Sequence, residues 1–311
     1  MFCIISFAVL SIMGVFSASN RSLAREALDC VLRRVTLRPC NTGFDEKMKA
    51  KLLGIVIVRS ERGAAWLNRF FEPLSWVFFI LMLGASFMSL RGVYLFYTTG
   101  SCNGVNSSAF CVFDPTGKNN DVSTTAKCTI KPKTASGLSL EGVNLTSFPV
   151  LNPTAPAKIV MIGCYHCDYT REAYPPLMNL IRKYNPSFTY ISYPTKEKDD
   201  HFSRLSYCVN KLAPQKYWQF NDQMFTGDKA NLDDPAYIDK MLTNLEIDAP
   251  TVNACISADQ TKTDVSKQLD EAVKSGFYGT PTIFINSQVF VGPKPPRVYA
   301  IALEGLLYWL K

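Results

Sequence analysis

The chain has 311 residues, 47% of them hydrophobic and 19% charged, with 10 cysteines and a formal net charge of +7. That length suggests about two domains. The basic residues are not interleaved with aromatics as a nucleic-acid surface requires, and there is no phosphate-binding glycine loop, dinucleotide glycine pattern or metalloprotease helix motif.

Residues 2–18 are free of charge, and residues 73–99 contain only Arg91. At 1.5 Å per residue these runs span about 25 and about 40 Å as helices, against a hydrocarbon core of about 30 Å. Both are predicted to cross a membrane, with Arg91 snorkelling to the head groups. The first run lacks the cationic start of a cleaved secretory signal: no basic residue precedes Arg21. Residues 19–72 hold eleven Lys or Arg against six Asp or Glu, whereas residues 100–311 hold twenty-one against twenty. The positive-inside rule therefore puts residues 19–72 in the cytoplasm and residues 100–311 outside. Residues 1–99 read as a membrane hairpin with lipid as a partner. Its loop carries helical apolar spacing at 22–35 and 45–58, interrupted by Pro39 and Gly43, as amphipathic helices on the inner leaflet would. Cys3, Cys30 and Cys40 fall in this portion. The other seven cysteines fall outside, where disulfides persist.

Residues 100–155 are rich in Ser, Thr, Asn, Gly and Pro without a sustained period. They read as an extracytoplasmic stalk or cap. Cys102, Cys111 and Cys128 allow one disulfide among three thiols, with the pairing open. Asn106-Ser107-Ser108 and Asn144-Leu145-Thr146 match the glycosylation acceptor pattern.

From residue 156 the pattern changes to alternating strands and helices. Strands are predicted at 158–163 and 188–193, with a helix at 170–184 that contains Pro175-Pro176. A mostly helical stretch at about 202–275 comes next, and then a hairpin of strands at 282–285 and 289–291. A closing helix at 295–310 has Val298, Ile301, Leu303, Leu306, Leu307 and Leu310 on its apolar face.

Between the first strand and the first helix stands Cys164-Tyr165-His166-Cys167, answered far downstream by Gly279-Thr280-Pro281-Thr282. Two thiols at this spacing on a strand-to-helix turn close a small disulfide. Helix amides lower the pKa of the leading thiol, and the second thiol resolves mixed disulfides. A zinc site would need four ligands, and no second C-x-x-C or C-x-x-H is present.

With these motifs, residues 156–311 resemble a thioredoxin-fold domain of the DsbA-like type. The helical insert separates it from thioredoxin itself. The resemblance implies an α/β thioredoxin fold with a helical insertion, which the two transmembrane helices and disulfide-containing stalk read from residues 1–155 would precede. It implies a redox disulfide in which Cys164 is the nucleophile and Cys167 resolves, with His166 favouring the thiolate. It also implies a cis Thr280-Pro281 bond that, with Tyr165, meets an extended substrate. Cys208 and Cys255 are candidates to staple the insert. The implied activity is oxidation of dithiols in exported proteins, without a bound cofactor. A DsbB-like or vitamin K epoxide reductase-like membrane partner would reoxidise the pair. A reductase or isomerase with the same site is the alternative, and a membrane-tethered chaperone or binding module with a structural disulfide is the reading from another class.

Overall fold

A computed structural model describes residues 25, 28–29, 50, 53–54, 57–58, 60–107, 109–121, 137–195 and 200–310. The first expected span at 2–18, most of the expected loop at 19–72, and Cys3, Cys30, Cys40 and Cys128 lie outside them. The chain divides into two compact units, Met1–Arg91 and Gly92–Lys311.

Helix α1 runs over Glu61–Thr99 with Pro73 inside it. Within it, the 24 residues Trp76–Thr99 make the one helix among the described residues that is long and apolar enough to cross a membrane.

The second unit is built on a five-stranded mixed sheet. Strand β1 is Val150–Leu151, β2 is Lys158–Gly163, β3 is Ser187–Ser192, β4 is Thr282–Ile285 and β5 is Gln288–Val291. Their spatial order is β1-β3-β2-β4-β5. Strands β2 and β3 are parallel, and helix α2, Asp168–Tyr184, makes the crossover between them. The hairpin β4–β5 pairs antiparallel to β2 on its other side. Between β3 and β4 five α-helices are inserted among the described residues: α3 (His201–Leu212), α4 (Tyr217–Thr226), α5 (Pro235–Asn244), α6 (Ala249–Ser257) and α7 (Asp259–Lys274). Helix α8, Pro296–Glu304, closes the domain.

The sheet separates two apolar layers. Ile159, Met161, Phe188, Tyr190, Ile283 and Phe290 pack with α2, α8 and helices of the insert. Val160, Ile162, Ile191, Phe284 and Val291 pack on the other side with Ala272, Phe277, Leu138 and Phe148. Both faces being covered explains why β3, which reads as nearly alternating in the sequence, is buried at all six positions.

The expectation for the closing helix is corrected. The closing helix stops at Glu304, not at residue 310, because Gly305 takes a φ of 93° and ends the helical path. Leu306, Leu307 and Leu310 are exposed instead of continuing an apolar face. Within the stretch 100–155, expected as a stalk or cap, β1 pairs with β3, Leu138 and Phe148 cover the sheet, and residues 100–121 are bonded to the domain. Asn106 accepts from Val291 N at 2.7 Å and donates to Val289 O at 2.9 Å, which occupies the edge of β5. Gly292 has a φ of 81°, and a Cβ there would stand 2.5 Å from Asp121 O, so only glycine lets this segment approach.

Candidate active site

Strand β2 ends at Gly163, where an added Cβ would lie 2.7 Å from Thr170 Cγ2 and 3.1 Å from the Tyr190 ring. The missing side chain lets the first turn of α2 settle against the sheet. The chain then turns through Cys164–Cys167, with Cys167 N donating to Cys164 O at 3.3 Å. Cys167 is the extended residue that caps α2, and its carbonyl receives Arg171 N at 3.0 Å. Cys164 and Cys167 are joined by a disulfide with Cα atoms 5.3 Å apart. The pair thus sits at the positive end of a helix, with Asp168 in the first turn. Both cysteines have no exposed surface.

The register Ile162↔Thr282 between β2 and β4 brings the residues just before β4 alongside the redox turn. Thr280-Pro281 is a cis peptide, and Thr280 Oγ1 donates to Cys167 Sγ at 3.3 Å. Pro281 O accepts from Gly292 N at 2.8 Å. Cys164, Cys167, Thr280 and Pro281, far apart in sequence, are therefore brought together.

His166 has its side chain 14% exposed and Nε2 3.2 Å from Asp233 Oδ1. Its ring packs on Phe202 at 4.8 Å between centroids. Tyr165 is expected to meet the substrate together with Thr280 and Pro281. Its side chain is fully buried among Tyr190, Phe202 and Phe225. Its hydroxyl donates to Asn221 Oδ1 at 2.7 Å, and Asn221 Nδ2 donates to Tyr174 OH at 3.0 Å. Burial, first of all, pushes the Tyr165 phenol well above its ordinary range, so it remains a neutral donor. The large side chain here anchors the dipeptide to the insert.

Arg171 was not singled out by the sequence. Its guanidinium donates to Tyr165 O at 3.3 Å, to Met224 O at 2.7 Å and to Gly227 O. It thereby ties the redox turn to the carbonyl end of α4. Burial is the main influence lowering its pKa, opposed by Asp168 and Asp228. Asn221 and Asp233 were also missed, since a lone Asn in an aromatic helix and one Asp of a pair carry no spacing signal.

Among the remaining cysteines, Cys102 pairs with Cys111 and Cys208 with Cys255. Among the described residues no group of three or more His, Cys, Asp or Glu could hold a metal ion.

A family model described as thioredoxin matches residues 149–304. No curated protein matches the chain. Among solved structures, the thiol-disulfide exchange protein alpha-DsbA2 from Wolbachia pipientis is 19% identical, with 52% of this chain and 88% of that chain covered and a TM-score of 0.47. Oxidised BdbD from Bacillus subtilis is 21% identical, covering 50% and 89%, with a TM-score of 0.45. The catalytic domain of Proteus mirabilis ScsC is 20% identical, covering 53% and 90%, with a TM-score of 0.44.

Proposed function

The chain belongs to the thioredoxin family, and from that premise we propose that it is a membrane-anchored, extracytoplasmic thiol-disulfide oxidoreductase of the DsbA-like kind. The observation that carries the reading is the Cys164–Cys167 disulfide at the N-terminus of α2, beside Thr280-cis-Pro281. The five helices between β3 and β4 support the DsbA-like kind over thioredoxin itself.

A substrate thiolate attacks Cys164 Sγ, the Cys164–Cys167 bond breaks, and the electron pair leaves on Cys167. A second substrate thiolate then attacks the mixed disulfide and expels the Cys164 thiolate. The substrate loses two electrons and two protons, and the enzyme ends as the dithiol. Run backwards, the same steps begin with Cys164 as nucleophile, and Cys167 resolves the complex. Helix amides and the nearby cationic Arg171 favour the Cys164 thiolate. His166 adds to this when protonated. Because both sulfurs are covered, a protein substrate must displace side chains around the pair before exchange.

Helix Trp76–Thr99 would supply the anchor. The Cys102–Cys111 and Cys208–Cys255 disulfides support an oxidising, extracytoplasmic setting for the domain. Exported proteins with free thiols are the substrates in this reading, and a DsbB-like or vitamin K epoxide reductase-like membrane protein reoxidises the pair.

Equilibration of the purified protein with glutathione tests the direction of electron flow. A potential near the DsbA value of about −120 mV supports the oxidase, whereas one near the thioredoxin value of about −270 mV replaces it with a reductase or isomerase. A pair that glutathione cannot reduce in the folded protein would leave a tethered binding module with a structural disulfide.

A further inference from the structure

We propose that the disulfide loop Cys102–Cys111 and the residues just after it are seated in the interfacial layer of the membrane, so that the redox domain rests on the lipid surface. This deepens the anchoring reading above and rests on it.

Three observations carry the proposal. The first is charge: from Gly92 to Phe113 no residue is ionisable as an acid or a base of the Asp, Glu, Lys or Arg kind, the flanking charges being Arg91 and Asp114. An uncharged run of this length avoids the desolvation cost that a lysine or carboxylate would meet near the hydrocarbon.

The second is exposure. Phe110 and Val112 are 74% exposed and Phe113 is 52% exposed. On the last turns of α1, Val93, Tyr94 and Tyr97 are exposed too. The Phe113 ring lies 5.2 Å from that of Phe96, so loop and helix end form one continuous apolar patch. Tyr94 and Tyr97 at the end of a spanning helix are the residue type enriched at the head-group level.

The third is the state of the backbone. Carbonyls that enter an apolar medium need internal partners. Asn103 Nδ2 donates to the carbonyls of Ala109 and Phe110 at 3.2 and 3.0 Å. Cys111 O accepts from Asp114 N at 3.1 Å, and Ser107 Oγ accepts from Ala109 N at 3.3 Å. At the end of α1, Arg297 donates to the carbonyls of Tyr97 and Phe96 at 3.3 and 3.4 Å, with its guanidinium 5.0 Å from the Phe96 ring centre. The loop therefore turns apolar side chains outward while the carbonyls of Ala109, Phe110 and Cys111 have partners within it or just after it.

The other side of this loop is clamped to the domain through Asn106 on β5. Contact of Phe110, Val112 and Phe113 with lipid thus fixes the height and tilt of the whole sheet, and the redox turn with it.

The test uses the full chain reconstituted into phosphatidylcholine vesicles whose acyl chains carry a photoactivatable diazirine, with cross-links mapped by mass spectrometry. The proposal expects labelling in peptides covering both Trp76–Thr99 and residues 109–113, with α7 as the unlabelled reference. In F110S/V112S/F113S, labelling of the loop should fall to the α7 level while the helix stays labelled and exchange with a small soluble dithiol is unchanged. Labelling of the helix without the loop in the wild-type chain overturns this proposal and leaves anchoring intact. Labelling of neither overturns the anchor and the proposal together.

Discussion

Thr280 Oγ1 donates a hydrogen bond to Cys167 Sγ at 3.3 Å, although 113 residues separate them in the chain. This contact joins the two halves of the site, because Thr280 precedes β4 and Cys167 caps α2. A hydroxyl donates more strongly to a reduced, partly ionised sulfur than to a disulfide sulfur, so it favours the dithiol. Thr280→Val keeps the shape and removes the donor. The disulfide of this variant should become more reducing by up to about 1 kcal/mol, or about 20 mV, in equilibrium with glutathione. No shift would mean that the bond is equally strong in both redox states.

The two cysteines should differ in what their loss does. Cys164→Ser should abolish exchange and mixed-disulfide formation, since the attacking sulfur is gone. Cys167→Ser should accumulate mixed disulfides with substrate, visible on non-reducing gels, because attack persists and resolution is lost. Accumulation with Cys164→Ser instead would exchange the two roles.

Much of this site is legible in the sequence, and the part that is not has a common cause. The redox pair, Thr280-Pro281, β2 and the helical insert announce themselves by spacing, by apolar runs and by a proline before a strand. Arg171, Asn221 and Asp233 do not, because each acts through a contact between α2 or the redox turn and the insert, some fifty to seventy residues away. The burial of Tyr165 is hidden for the same reason: its ring packs in an aromatic cluster that draws Phe202 and Phe225 from the insert. The end of α8 was set by the left-handed backbone of Gly305, which outweighs an apolar pattern that continues past it.

Arg171 supplies the third prediction. Its charge is held against carbonyl oxygens, including that of Tyr165 inside the redox turn. A cation there stabilises the thiolate and does nothing comparable for the disulfide. Arg171→Met should raise the Cys164 thiol titration and make the pair more reducing, each pKa unit corresponding to about 1.4 kcal/mol, or about 30 mV. Arg171→Lys should restore most of the thiol titration while leaving carbonyls without partners, which lowers stability by about 1–3 kcal/mol. Equal potentials in all three proteins would reduce Arg171 to a structural tie. Ultraviolet absorbance of the thiolate follows the titration directly.

The Cys208–Cys255 disulfide closes a sequence separation of 47 residues between α3 and α6. The chain-entropy account gives a loop of that size about 4 kcal/mol. Cys208→Ala/Cys255→Ala should therefore unfold at a much lower urea concentration. The Cys164–Cys167 potential should not change, because both sulfurs lie beside Thr261 on α7. A change in that potential would make the second disulfide part of the redox machinery.

Lys294 yields a pH dependence whose sign follows from its surroundings. It is 4% exposed, and its ammonium donates to Asn119 O and to Asn120 Oδ1, the latter at 2.5 Å. Burial pulls its pKa down to about 7, with Asp114 acting in the opposite direction. In the unfolded chain the same group titrates near its ordinary value of about 10.4. Between these values the unfolded state binds the extra proton, so folding stability must rise with pH across the window from about 7 to about 10, by at most about 1.4 kcal/mol per pH unit. Below about 7 both states are protonated and the slope vanishes. Other groups titrate in this range, so the comparison is with Lys294→Met, which lacks this contribution and keeps the rest. The wild-type stability minus that of the variant, from urea unfolding at each pH, should be flat below neutrality and climb above it. A difference that falls as pH rises would mean that Asn119 and Asn120 hold the ammonium more strongly than burial expels its charge.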